Sequence, residues 1–131
     1  MTSTTVIEEW RERARDHRHP AKLDEIRPIA ESMLESGARF IALVVTQIGP
    51  DTLRLVWHWD LKGKLFSAES TAALKTPVPS IVDIYCGADW AEREAREYFA
   101  VGFEGRASTP PLMLREGDTP GLLLRTEGER P

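Results

Sequence analysis

The chain has 131 residues, with 17 Lys and Arg against 21 Asp and Glu, a formal charge of −4 at neutral pH, and 41% hydrophobic residues. Such a length suits one ordinary domain with its own core, and the acidic balance speaks against phosphate-backbone binding, so no nucleic-acid partner is expected. The one cysteine, Cys86, excludes an internal disulfide and cannot alone hold an iron–sulfur cluster or a zinc thiolate site.

Residues 1–20 are highly charged, with Trp10 as one large apolar anchor, and predict a surface helix ending before Pro20. Ile26, Ile29, Ala30, Met33 and Leu34 then recur at the spacing of one helix face, with Asp24 as the expected N-cap, Pro28 in the first turn and Gly37 as the C′ residue. After Gly37 the period changes: Phe40 to Val45 is apolar on both faces and predicts a central strand. Leu53, Leu55, Trp57 and Trp59 alternate with polar residues in a second strand, which sends His58 to the face opposite both tryptophans. Lys62-Gly63-Lys64 is a tight turn into a third strand over 65–74, where Phe66, Ala68, Ala72 and Leu74 keep a weaker alternation. Pro77-Val78-Pro79-Ser80 reads as a stiff connector, and Ser80 with Asp83 as a cap pair for a short turn over 81–85. Asp89 caps the next helix, expected over 90–100 with Ala91, Ala95, Tyr98 and Phe99 on one face. Beyond Gly105, prolines and glycines leave a tail over 107–131, in which Leu112–Leu114 and Leu122–Leu124 dock as short extended pieces. The fold class is therefore α+β: a small antiparallel or mixed sheet with helices packed on one face, over residues 21–106.

Chemistry is sparse. Cys86 sits among apolar neighbours and reads as a partly buried, inert thiol. His17 and His19 are fewer than the ligands a zinc site needs, and His58 reads as a sheet-surface histidine. Neither Gly-rich phosphate loop occurs. Arg11, Arg13, Arg15 and Arg18 interleave with Glu8, Glu9, Glu12 and Asp16 as a salt-bridged, solvated face. The longest apolar run, Phe40 to Val45, is six residues, far below the roughly 20 that cross a bilayer as a helix. With no signal-peptide stretch at the start, the expectation is a cytoplasmic protein without direct membrane insertion.

The densest stretch is PVPSIVDIYCGADWAEREAREYFAVGFEG, from Pro77 to Gly105, whose helix offers Glu92–Arg96 and Arg93–Glu97 at i, i+4. If Arg93 is desolvated between Glu94 or Glu97 and a partner, removing it costs about 3–5 kcal/mol; if it is exposed, less than about 1 kcal/mol. An enzyme or ligand-binding reading would instead gather Tyr85, Cys86, Asp89 and Glu92 around a pocket.

This stretch resembles the signature of the 30-kDa subunit of NADH:quinone oxidoreductase (respiratory complex I): E-R-E, two residues, an acidic residue and two large apolar ones. Pro79, Ser80, Ile81, Asp83, Ile84, Ala88 and Trp90 match the approach, Glu92, Arg93, Glu94, Glu97, Tyr98 and Phe99 the centre, and Phe103, Glu104 and Gly105 the end. The resemblance extends more weakly over about Asp24–Leu114. Arg106 replaces the family's usual His, Ala100 its usual Gly, and the basic C-terminal ending is missing. Those departures and the short length are similar to the small homologous subunits of energy-converting NiFe hydrogenases and related formate- or carbon-monoxide-linked complexes. The resemblance implies a subunit with no redox cofactor, no metal and no active site of its own. It implies bracing of a large quinone-site or NiFe-hydrogenase-like subunit and a neighbouring iron–sulfur subunit, peripheral on the inner face of the cell membrane. The partner interface it implies comprises Asp83, Trp90, Glu92, Arg93, Glu94, Glu97, Tyr98, Phe99, Phe103, Glu104 and Arg106, with the C-terminal tail as a further contact.

Overall fold

Two short turns set the architecture. In the computed structural model, which describes residues 18–107, 109–115 and 117–125, strands β2 (Arg39–Gly49), β3 (Thr52–Leu61) and β4 (Lys64–Ala73) form an antiparallel meander. Lys62 and Gly63 both take positive φ, +52° and +83°, the conformation that matches a two-residue turn to the twist of its strands. The Asp60 carboxylate accepts the Gly63 N–H at 3.0 Å and locks that turn. A three-residue strand, β1 (Arg18–Pro20), runs parallel to β4, so the sheet is mixed, in the order β1-β4-β3-β2. Arg18 and His19 thus lie in a strand, because β4 offers them an open edge; the remainder of the expected N-terminal helix falls outside the described residues.

The apolar face of β3 is the floor of the core. Leu53, Leu55, Trp57, Trp59 and Leu61 are all buried, with Phe66, Ala68 and Ala72 of β4 beside them. Neither indole N–H finds an acceptor among the described residues, a cost of about 1–3 kcal/mol each. Burying 150–250 Å² of ring offsets it, at roughly 4–6 kcal/mol per tryptophan. His58 points to the other face, as its register requires, and its Nδ1 lies 2.7 Å from Ser67 Oγ. Burial, aided by the charge of Arg18, holds its pKa below the ordinary histidine value.

Helix α1 (Ile26–Glu35) covers this floor with Ile26, Ile29, Ala30 and Met33. Leu34, expected on the same face, is instead half exposed. The helix starts differently from the expectation too: a 3₁₀ turn, Leu23–Glu25, leads into it, so Asp24 lies before the helix. The Glu25 carboxylate accepts the Lys22 N–H at 2.8 Å. At the other end Gly37 has φ +86°. The bonds Gly37 N–H to Leu34 C=O and Ala38 N–H to Met33 C=O complete a Schellman close.

Two expectations about the sheet are corrected. The strand over Phe40–Val45 is an edge, not a centre: β3 lies on one side of β2 and no strand on the other, among the described residues. Its inner face, with Phe40, Leu43 and Val45, joins the core, while Ile41, Val44 and Ile48 are each about half exposed. Apolar residues on both faces therefore do not mean that both are covered by this chain. The connector Val78–Pro79 also pairs: as β5 it runs parallel to β6 (Phe103–Glu104), with Val78 N–H to Gly102 C=O at 2.8 Å and Ser80 N–H to Glu104 C=O at 2.9 Å. Pro79 is tolerated because the ladder uses the N–H groups on either side of it.

Helix α2 (Ala88–Phe99) packs against β2. Gly87 is its N-cap and Asp89 lies in its first turn, so Asp89 is a first-turn acid rather than the cap. The helix ends at Ala100 with φ +56°, a left-handed conformation that costs a residue with a Cβ about 1–2 kcal/mol. Ala100→Gly is expected to raise stability by about 1 kcal/mol, read as a higher urea midpoint at unchanged slope.

Candidate functional site

Sequence separation hides what α2 does with its charges. Glu92 is 1% exposed. Its carboxylate accepts the Ser80 hydroxyl at 2.6 Å, the Ile81 N–H at 2.8 Å and the Arg106 guanidinium at 3.0 Å. Ser80 Oγ in turn accepts the Val82 N–H, so the cap expected of Ser80 forms and the turn over 81–85 closes with Tyr85 N–H on Ile81 C=O. One buried charge thus ties α2 to β5 and to Arg106, two residues past β6. Arg106 also reaches Asp89. Burial lowers the pKa of Arg106, but its bonds to Asp89 and Glu92 outweigh that and raise it; the same bond holds the Asp89 carboxyl below its ordinary value.

Glu97, likewise 1% exposed, does the corresponding work for the C-terminal segment. It accepts the backbone N–H groups of Leu112, Met113 and Leu114 at 2.7, 2.7 and 2.6 Å. Its own carbonyl accepts from Gly121 and Leu122, and that of Tyr98 from Leu123. Burial alone would raise the Glu97 pKa; the three N–H bonds and Arg96 together bring it below the usual value. The two leucine-rich pieces therefore dock, as bends and turns rather than extended strands, because their N–H groups converge on one carboxylate and the carbonyls beside it. Farther on, the Gln47 amide both donates to Arg125 C=O and accepts Arg125 N–H, at 2.9 and 2.8 Å.

The arginines are engaged inside the chain. Arg93 donates to Pro110 C=O at 2.9 Å and lies 3.6 Å from Asp89, while Arg96 donates to Thr109 and lies 3.9 Å from Glu97. The ion pairs of α2 are thus Asp89–Arg93 and Arg96–Glu97, in place of the expected Glu92–Arg96 and Arg93–Glu97. A cleft of about 270 Å³ separates α2 from the segment after β6, lined by Glu92, Arg93, Arg96, Phe103 and Arg106. Asp83 is bound bidentately by Arg27 at 2.7 and 2.8 Å, and Arg27 also donates to Ser80 C=O. That bond lowers the Asp83 pKa. Arg27, on another helix and 56 residues away, carries no local spacing signal.

Facing outward are Trp90, 67% exposed, with Glu94 one turn later and Glu104 on β6. Tyr98 is partly exposed with its hydroxyl on Met113 Sδ, and Phe99 and Phe103 pack on the core. The other grouping, Tyr85, Cys86, Asp89 and Glu92, does not converge on one pocket. The Tyr85 hydroxyl donates to Ala38 C=O at 2.9 Å, and burial pushes its pKa up to about 12. Asp89 and Glu92 are both taken by Arg106. Cys86, expected partly buried, is exposed, because it sits in the turn just before α2.

Residues 21–127 match the sequence profile of the family described as "Respiratory-chain NADH dehydrogenase, 30 Kd subunit". The C subunit of NADH-quinone oxidoreductase from Burkholderia mallei (strain SAVP1) is 33% identical over 81 residues, covering 62% of this chain and 36% of that protein. Its counterpart in Burkholderia pseudomallei (strain K96243) matches equally. The chain thus spans about a third of the length of these curated relatives. A chain of the membrane-bound sulfane sulfur reductase, an archaeal respiratory membrane complex, shares the fold, with a TM-score of 0.61 at 21% identity over 87% of this chain and 78% of that one.

Proposed function

The chain belongs to the respiratory-chain NADH dehydrogenase 30 Kd subunit family, and from that premise we propose that it braces a complex-I-like membrane-associated oxidoreductase without an active site of its own. It docks on a large quinone-site or NiFe-hydrogenase-like subunit, beside an iron–sulfur subunit. The observation that carries this reading is the division of labour on α2. The signature charges Glu92, Arg93 and Glu97 are bonded within this chain, Glu92 with the help of Arg106, while Trp90 and Glu94 of the same helix remain outward. A carboxylate saturated by three donors is a poor proton carrier and a good brace. The interface therefore consists of the outward residues, with Asp83 and Glu104 beside them, and the inward ones fix its shape.

No helix among the described residues is long and apolar enough to cross a membrane, which fits attachment at the inner face of the cell membrane through partner subunits. Affinity purification of the tagged full chain from native membranes is expected to recover a large quinone-site or hydrogenase-like subunit, identified by mass spectrometry. Recovery of the chain alone would overturn the reading.

Arg93 gives a finer check. Its guanidinium holds the loop at Pro110, and its Nε is buried without an acceptor. Arg93→Ala is expected to cost the isolated chain about 1–2 kcal/mol, lowering its melting point in proportion to any loss of assembly. A large assembly defect at unchanged melting point would move Arg93 to the interface.

A further inference from the structure

The edge of β2 and the flank of α2 enclose a groove of about 310 Å³ that the described residues leave open, floored by Leu43, Val45, Ala95, Phe99 and Leu123. Three features define what fits it. First, β2 has no strand beyond it among the described residues. From Phe40 to Gly49 it carries no charged residue and no proline, two of the devices that keep a solitary edge from pairing, and its register irregularities fall near its ends, between Phe40 and Ala42 and between Gln47 and Gly49. Ile41, Val44 and Ile48 stand half exposed along it. Second, Glu94 is the one charged residue lining the groove, and Trp90, one turn earlier, presents an exposed ring. Residues four apart on a helix are surface neighbours. An indole face beside a carboxylate suits a guanidinium, which stacks on the one and pairs with the other. Third, Gln47 holds the Arg125 backbone through both its N–H and C=O, so main chain is already bound beside one end of the strand.

We propose that this edge and groove receive an extended, arginine-bearing segment of the large partner subunit as an added strand. Its guanidinium lies between Trp90 and Glu94, and an apolar neighbour fills the groove over Leu43 and Val45. The inference rests on the bracing role above and specifies its contact. A second copy of β2 fits less well, since its one cation, Arg39, stands at the strand's first position and is already paired with Asp60 at 2.9 Å. The chain's own residues 126–131 carry Glu127 and Glu129 against the single Arg130, an acidic balance that Glu94 repels.

The test is site-specific photo-crosslinking in the full chain within native membranes. p-Benzoylphenylalanine replaces Val44 or Trp90, with Lys64 on the far hairpin as the control position, and crosslinked peptides are sequenced by mass spectrometry. Positions 44 and 90 are expected to reach one segment of the large subunit, with an arginine within about four residues of the crosslink. Glu94→Arg is expected to lower recovery of the large subunit about tenfold, and Glu94→Gln less, with the melting point of the isolated chain unchanged in both. Arg→Glu in the crosslinked segment then restores recovery with Glu94→Arg. Crosslinks confined to a second copy, to residues 1–17 or 126–131 of the chain itself, or to lipid would overturn the proposal. So would their absence at 44 and 90, or recovery indifferent to Glu94→Arg, while the large subunit still copurifies. If the unsubstituted chain brings no large subunit at all, the bracing role itself falls, and this proposal with it.

Discussion

Glu97→Ala is expected to destabilise the chain by about 3–5 kcal/mol, because it removes a buried charged acceptor shared by three partly buried backbone N–H groups. Each bond to a charged acceptor is worth about 1.5–3 kcal/mol, and the non-additivity of a shared site keeps the total below their sum. The loss is local as well as global. Residues 109–125 are held largely by Glu97, by the neighbouring carbonyls of α2 and by Gln47, so limited proteolysis is expected to cut there first in the variant. Glu97→Gln is expected to lose less, since one amide oxygen still serves Met113 and Leu114 while its NH₂ opposes the Leu112 N–H.

The pH dependence has a fixed sign. The folded Glu97 carboxyl lies below its unfolded value of 4.5. Its contribution is therefore complete above that value and is lost as pH falls through the folded pKa. Asp83 and Asp89 shift in the same direction, so the difference between wild type and Glu97→Gln is the diagnostic quantity. It is expected to shrink on acidification in urea titrations followed from pH 6 downward. A difference that stays constant would mean that Glu97 does not titrate with unfolding.

Glu92→Ala is expected to cost about the same, roughly 3–5 kcal/mol, by a different route. The substitution removes the acceptor of the Ser80 hydroxyl proton and of the Ile81 N–H and returns Arg106, 11% exposed, to Asp89 alone. Because Glu92 and Arg106 share this site, Arg106→Ala in the Glu92→Ala background is expected to cost about 1–3 kcal/mol less than in wild type. Equal costs in the two backgrounds would show that the bond between them carries no energy. The Arg106 position also bears on the family comparison. The family's usual histidine would need two ring nitrogens to replace a fork that spans Asp89 and Glu92 at once.

Much of this architecture is legible in local pattern. The α1 stripe, the alternation of Trp57 and Trp59, the turn at Lys62–Gly63 and the stop at Gly37 each follow from spacing or from one glycine's freedom. What was not legible depends on partners distant in sequence. Nothing near Arg27 announces Asp83, and nothing near Glu97 announces three N–H groups from the tail. The charged pattern of α2 reads locally as a solvated face with i, i+4 pairs, yet two of its carboxylates are buried, each surrounded by donors from other segments. The β2 edge misled for the opposite reason. An apolar strand carries the same periodicity whether the chain itself or another polypeptide covers its second face.

The Glu97 clasp also fixes an order of events during synthesis. The donors that neutralise this carboxylate lie 15 to 17 residues downstream, about one to three seconds behind it at ordinary translation speeds. Until they emerge, α2 carries a hydrated anion on the side it must bury, which disfavours its seating against β2. The helix that presents Trp90 and Glu94 is therefore expected to seat late, after residues 112–114 have left the ribosome.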